Sequence, residues 1–268
     1  MSLFYLMVLA VVQGITEFLP ISSSSHLILI HEMTGTTPDD IALDIAVHLG
    51  SIVAVLVYLW PEARAALVGL GQLGRGRTGT PQARLALGLI IATIPAVLVG
   101  AVLALTGWID MLRDIRVIGW MMILFGIALW WVHRVAPEAR AESEWTLRRA
   151  AVMGLWQAVA LIPGVSRSGI TMTAARAMGF ERHAAARISI LMSIPITLAT
   201  GALLARDALE AGGGWALVQA AGIAAVLAFG AAYLALSLMM KFLARVSFTP
   251  YVIYRVALGV VLLGLAYG

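Results

Sequence analysis

Three windows of the chain exclude a soluble core before any motif is considered. Leu85 to Ile109, Ile188 to Ala205 and Ala211 to Met240 run 25, 18 and 30 residues without Asp, Glu, Lys or Arg. A helix crossing a bilayer needs about 20 predominantly apolar residues. The whole chain is 61% apolar and 12% charged, well below the charged share of an ordinary soluble domain. Lipid-exposed backbone must satisfy its hydrogen bonds within its own segment, so the expected fold is an all-α polytopic membrane protein. The net charge of +4 does not argue for nucleic acid, because the Arg residues sit in short loops between apolar segments, where positive charge sets orientation. With no Cys at all, disulfides, thiolate nucleophiles and Cys-based metal sites are excluded. The first Lys or Arg is Arg64, so no cleavable signal with a basic leader is expected at the N-terminus.

Apolar runs and breakers place six spans at about 41–60, 85–107, 115–133, 188–206, 215–240 and 250–267. Two stretches depart from that pattern. Residues 3–33 are broken by Pro20 and Ser22 to Ser25, and residues 150–178 by Pro163, Gly164 and the run Ser166 to Gly169. Each reads as two half-length helices around a polar elbow, a broken re-entrant pair. The elbows resemble each other: Gln13 and Gln157 are 144 residues apart, Pro20 and Pro163 are 143 apart, and the Ser51-Ile52 and Ser193-Ile194 pairs are 142 apart. An internal duplication is the economical reading, with one repeat over about 1–133, a second over about 149–268 and a basic linker at 134–148.

Three spans then separate the elbows, which inverts the second repeat relative to the first. One face collects the loops 61–84, 134–149, 179–187 and 241–249 with 12 basic residues, while the other holds Arg113, Arg116 and Arg206 beside Asp39, Asp40 and Asp44. The positive-inside rule places the first face in the cytoplasm and both termini outside it. Inverted repeats with broken half-helices bring helix N-termini together near the bilayer midplane, where they favour an anion.

The elbows carry the matching chemistry. Gln13 and Glu17, four apart, share a helix face. Ser22 to Ser25 start the next half-helix, where hydroxyls and free N–H groups can hold phosphate oxygens, and His26 follows on the face of Ser22 and Ser23. In the second elbow Ser166, Arg167, Ser168, Gly169 and Thr171 supply more hydroxyls and a guanidinium suited to bidentate phosphate binding. Gly164 and Gly169 are expected to let backbone approach a ligand.

The run Gln13-Gly-Ile-Thr-Glu17-Phe-Leu-Pro-Ile-Ser-Ser-Ser-Ser-His26, together with Pro163-Gly-Val-Ser-Arg-Ser-Gly-Ile-Thr171, resembles the undecaprenyl-diphosphate phosphatase family linked to bacitracin resistance, over essentially the whole chain. Ser25 stands where many members have Gly, and Gln13 is the uncharged option of its motif. The resemblance implies hydrolysis of undecaprenyl diphosphate to undecaprenyl phosphate and inorganic phosphate, recycling the lipid carrier for cell-wall synthesis. It implies the bacterial cytoplasmic membrane, with a site open to the periplasm. It places Glu17, Ser23, His26 and Arg167 at the catalytic centre, with Gln13, Ser22, Ser24, Ser166, Ser168, Gly169 and Thr171 around the substrate. A divalent cation, Mg²⁺ or Ca²⁺, with Glu17 as its ligand is part of the same expectation. Partners are then a polyprenyl diphosphate lipid and the bilayer, with no nucleic acid, while small residues such as Gly222, Gly230, Gly259 and Gly264 offer helix packing either within one chain or between two copies in a homodimer.

Several residues have plainer readings. Glu17 and Arg167 can form a structural pair across the elbows, and His48 with Asp44, four apart on one helix, reads more readily as structural than as part of a site. Arg255, inside the last span, has either a lipid phosphate or a carbonyl to bind. Gly69-Leu-Gly71-Gln-Leu-Gly74 matches G-x-G-x-x-G, but no strand precedes it, so it reads as flexible loop. Ser25-His26 and Ser166-Arg167 partly match another class of lipid phosphatase, whose second motif would need His where this chain has Thr173. Ser23, His26 and a Glu17-activated water all remain open as nucleophile, with Ser23 favoured. The rival class is an inverted-repeat secondary transporter or lipid flippase, which needs no nucleophile.

Overall fold

A computed structural model of the protein describes residues 3–34, 41–211, 215–243 and 245–268. Its helices are α1 (Leu3–Thr16), α2 (Ser23–Thr34), α3 (Ile41–Tyr58), α4 (Trp60–Leu73), α5 (Pro81–Thr106), α6 (Trp108–Met111), α7 (Ile115–Val135), α8 (Leu147–Val159), α9 (Arg167–Ala177), α10 (Arg182–Ala211), α11 (Trp215–Leu243) and α12 (Thr249–Tyr267). Among the described residues the sheet-like pairing is limited to an isolated bridge between Arg140 and Phe180. The acidic loop at Asp39 and Asp40 lies outside the described residues.

Local sequence explains the helix ends. Thr80 caps α5 by accepting the Ala83 N–H at 3.1 Å, with Pro81 in the first turn. At its far end Gly107 takes φ 70°, a left-handed stop that costs glycine nothing. The Asp114 side chain accepts the Arg116 N–H at 2.7 Å and starts α7. Pro95 and Pro195 lie inside α5 and α10 without ending them.

Among the described residues, α5, α7 and α12, together with Arg182–Gly201 of α10 and Val218–Leu243 of α11, are long and apolar enough to cross a membrane. The span expected at 41–60 is α3, which turns by 94° into α4. Here the expectation of a flexible loop is corrected. The Gly69-Leu-Gly71 segment is helical, and a Cβ at Gly69 would lie 2.0 Å from the Gln82 carbonyl oxygen of α5, so this glycine serves close packing.

Association in lipid depends on close packing, since tails are as apolar as the helix surfaces. Helix α3 lies against α11, α5 against α8 and α7 against α12. At Gly50 a Cβ would meet the Ala225 carbonyl oxygen at 2.1 Å, and at Gly154 the Ala92 carbonyl oxygen at 2.7 Å. A buried cluster that includes Phe18, Ile52, Val55, Leu89, Met153, Met172, Ile190 and Leu236 joins these helices. Gly259 packs on Gly119, whereas Gly222, Gly230 and Gly264 open onto free space.

The basic segments converge at one end. Arg187 of α10 bridges Glu62 of α4 and Glu142, and Arg182 meets Glu138 at 3.0 Å. Buried Arg176 donates to the Ala136 carbonyl at 2.9 Å and the Pro137 carbonyl at 3.1 Å. Residues from 61–84, 134–149 and 179–187 therefore share one face, as the charge pattern requires.

Candidate active site

Both half-helix breaks have the same backbone device. Pro20 and Pro163 cannot donate to a helix ladder and disfavour α conformation in the residue before them. Two residues further on, or three, Ser22 and Ser166 take φ of 72° and 70°, the two described non-glycine residues with positive φ. Each immediately precedes the next helix, α2 or α9. Such conformations cost about 1–3 kcal/mol each and gather at functional sites. Ser166 recovers part of that cost by capping, since its Oγ accepts the Gly169 N–H at 3.1 Å.

The breaks bring four polar groups onto one carboxylate. Glu17 Oε2 accepts from Gln13 Nε2 at 2.8 Å and from Ser23 Oγ at 2.7 Å, while Oε1 accepts from Arg167 Nη2 at 2.9 Å. His48 Nε2 lies 3.8 Å from Oε2, and its Nδ1 meets the Asp44 carbonyl at 2.6 Å. The side chains of Glu17 and Arg167 are 10% and 15% exposed. Taking such charges out of water is tolerable only as a hydrogen-bonded pair.

Beside this pair is a cavity of about 250 Å³. It is lined by Glu17, Ser22, Ser23, Ser24, Ser166 and Arg167, with His48 and Gln157, and by an apolar wall that includes Ile45, Ala96, Leu161 and Ile196. Arg167 Nη1 is buried and has no hydrogen-bond partner among the described residues. It is a donor without an acceptor beside a cavity rich in hydroxyls, the complement of a phosphoryl group.

Other expected site residues stand behind the wall. His26 has both ring nitrogens engaged, Nδ1 with the Ser22 carbonyl at 2.7 Å and Nε2 with Tyr254 Oη at 2.6 Å, and its ring stacks on Tyr254. It braces the strained Ser22 rather than lining the cavity. Ser168 Oγ donates to the Leu19 carbonyl at 2.8 Å, tying the second elbow to the first. Thr171, fully buried, turns to Ser189 of α10 at 2.6 Å. Gln13, also fully buried, reaches the site through Glu17.

The two glycines expected to admit a ligand have a different use. A Cβ at Gly164 would lie 2.5 Å from the Ile118 carbonyl oxygen, and one at Gly169 would lie 2.7 Å from Arg255 Nη1. Both make room for protein. The question left open for Arg255 is answered by carbonyls: it is fully buried and donates to Gly164 and Val165 at 2.9 Å, and to Pro20 and Met122 at 3.3 Å. It thereby clips the elbows together.

The sequence did not point to Gln157 in the cavity wall, and for His48 it favoured local pairing with Asp44 over a place facing the pocket. Gln157 had a visible signal, as the counterpart of Gln13. For His48 hydropathy offers none, since its position depends on how α3 leans against the first elbow. As for a metal, Glu17 supplies one carboxylate already paired with a guanidinium, and among the described residues no three His, Cys, Asp or Glu side chains gather. A divalent-cation site wants several oxygen ligands, of which Glu17 is the one carboxylate lining this cavity among the described residues.

Comparison with known proteins finds relatives over the whole chain. The family described as "Bacitracin resistance protein BacA" matches residues 6–261. A protein of Ruegeria pomeroyi named "Undecaprenyl-diphosphatase" is 57% identical over 267 residues, covering 100% of both chains. Proteins of the same name from Dinoroseobacter shibae and Alteromonas mediterranea are 55% and 42% identical, covering 100% and 98% of each chain.

Proposed function

The chain belongs to the BacA family of bacitracin resistance proteins, and from that premise we propose that it is a membrane phosphatase that hydrolyses undecaprenyl diphosphate to undecaprenyl phosphate and inorganic phosphate. The carrier lipid so released returns to cell-wall synthesis, and removing the diphosphate form underlies resistance to bacitracin. The observation that carries the chemistry is the meeting of Ser23 and Arg167, one from each elbow, on the single carboxylate of Glu17 beside the cavity.

Those contacts support an assignment of roles. Ser23 Oγ attacks the terminal phosphorus. Its proton passes to Glu17 Oε2, which already accepts it at 2.7 Å. The bond from phosphorus to the bridging oxygen breaks, and undecaprenyl phosphate leaves with the electron pair. Arg167 keeps Nη2 on Glu17 and offers Nη1 to the phosphoryl oxygens, a preorganised donor for charge that shifts during transfer. Ser22, Ser24 and Ser166 add hydroxyls at the strained helix starts. Water then attacks the phosphoserine and the bond from phosphorus to Oγ breaks. Oγ recovers a proton from the water and Glu17 releases the one it took, leaving inorganic phosphate. His26 acts through Ser22, whose carbonyl it holds. A divalent cation such as Mg²⁺ or Ca²⁺, carried in on the diphosphate, would neutralise phosphate oxygens there.

The basic end faces the cytoplasm in this reading, and the cavity opens to the periplasm of the bacterial inner membrane. The test is phosphate release from farnesyl or undecaprenyl diphosphate by detergent-purified protein, which a transporter would not produce. Arg167→Lys keeps the charge but loses the planar fork. It should lower turnover by roughly 10²-fold, the scale of one lost transition-state donor. Rapid quench of substrate labelled at the terminal phosphate should yield acid-stable phosphoserine. An acid-labile phosphohistidine would transfer the attack to His26.

A further inference from the structure

Gln157 sits on α8 at the cavity wall with its side chain 1% exposed as a residue. Its carboxamide orientation follows from chemistry: the partner at 3.0 Å is the Ala92 carbonyl oxygen, an acceptor, so the group facing it must be the Nε2 amide. The other head, Oε1, is buried and has no hydrogen-bond partner among the described residues. A buried acceptor left unmatched costs about 1–3 kcal/mol, and Gln157 is held by Ala92 in a pose that cannot relieve it by flipping.

Two residues of the wall, Arg167 and Gln157, thus each carry a buried and unmatched polar head, of opposite kind. Arg167 Nη1 is a donor and suits a phosphoryl oxygen. Gln157 Oε1 accepts only, so an anionic phosphoryl oxygen cannot satisfy it. A water molecule can, and glutamine side chains that orient an attacking water recur in phosphoryl transfer. We propose that Gln157 Oε1 orients the hydrolytic water, accepting one of its O–H groups so that the oxygen lone pair faces the phosphorus. The inference rests on the phosphatase reading above. It assigns Gln157 to the water step and leaves the binding of the diphosphate to Arg167 and the serines.

The experiment measures how the enzyme divides the phosphoryl group between water and methanol. Full-length wild type, Gln157→Leu and Gln157→Met are purified in detergent and supplied with farnesyl diphosphate and methanol. Inorganic phosphate and methyl phosphate are then quantified together, with thermal melts to confirm folding. Loss of the orienting acceptor should lower phosphate release at least tenfold without raising KM. It should also raise the ratio of methyl phosphate to phosphate several-fold, a shift that a merely structural role would not produce. Unchanged partition in either folded variant overturns the inference, as does a raised KM with normal kcat, which would mean that Oε1 holds a protonated phosphate. Loss of folding in both variants would also overturn it, by making Gln157 a structural residue. If wild type releases no phosphate at all, the phosphatase reading fails first and this inference with it.

Discussion

Arg255 enters the bundle from α12 and spreads its charge over the carbonyls of Pro20, Met122, Gly164 and Val165. One side chain that is not among those lining the cavity therefore holds both elbows. Each buried carbonyl left without its donor costs about 1–3 kcal/mol. Arg255→Met should accordingly lower stability by about 3 kcal/mol or more, read as a fall in melting temperature in detergent. Gly169→Ala forces a Cβ to 2.7 Å from the same guanidinium, so it should be costly in wild type and much less so beside Arg255→Met. Additive losses would show that the two positions are uncoupled. The sequence places Arg255 within an apolar span and so announces a constrained charge. Its partners lie about 90 to 235 residues away, and no local pattern reports them.

Among the elements, helix crossings set the geometry that the elbows need. Gly50 of α3 meets the backbone of Ala225 on α11, whereas Gly230 of α11 has no heavy atom within 4 Å of a would-be Cβ. Both are helical glycines, so intrinsic propensity favours Ala at each by about 1 kcal/mol. Gly50→Ala should nevertheless lower the melting temperature by several degrees, since a backbone carbonyl cannot step aside, while Gly230→Ala should leave it unchanged or raise it. Equal effects would mean that α3 and α11 do not approach as closely as described. Because α3 also carries His48, loss of that approach should depress activity along with stability. The elements themselves were largely legible, because spans are long and hydropathy is a local property. α4 was hidden by its glycines: composition suggested a loop, and only packing of Gly69 onto α5 makes the helix worthwhile.

At the scale of the whole molecule, salt bridges gather the basic segments at one end, with Arg187 joining Glu62 and Glu142 and Arg182 joining Glu138. The chain lacks Cys, so single cysteines report its orientation cleanly. With the basic end in the cytoplasm, Arg113→Cys should react with a membrane-impermeant thiol reagent in intact cells, whereas Gly79→Cys and Ala141→Cys should react only after lysis. The opposite pattern would invert the topology and close the cavity to the periplasm. The sequence by itself determined the membrane class and the two polar elbows with Glu17, the Ser22 to Ser25 run and Arg167 on them, because uncharged runs, prolines and clustered polar side chains act over one or two helical turns. Tertiary structure alone decided which polar heads face the cavity. The sequence favours His26 for the site and a structural pairing for His48, yet the first is spent bracing Ser22 against Tyr254 and the second stands 3.8 Å from Glu17. Gln13 and Gln157 occupy matching places, yet only the second reaches the wall. The direction of a side chain is set by the lean of its helix against neighbours distant in sequence, and that lean comes from close backbone contacts that hydropathy does not record.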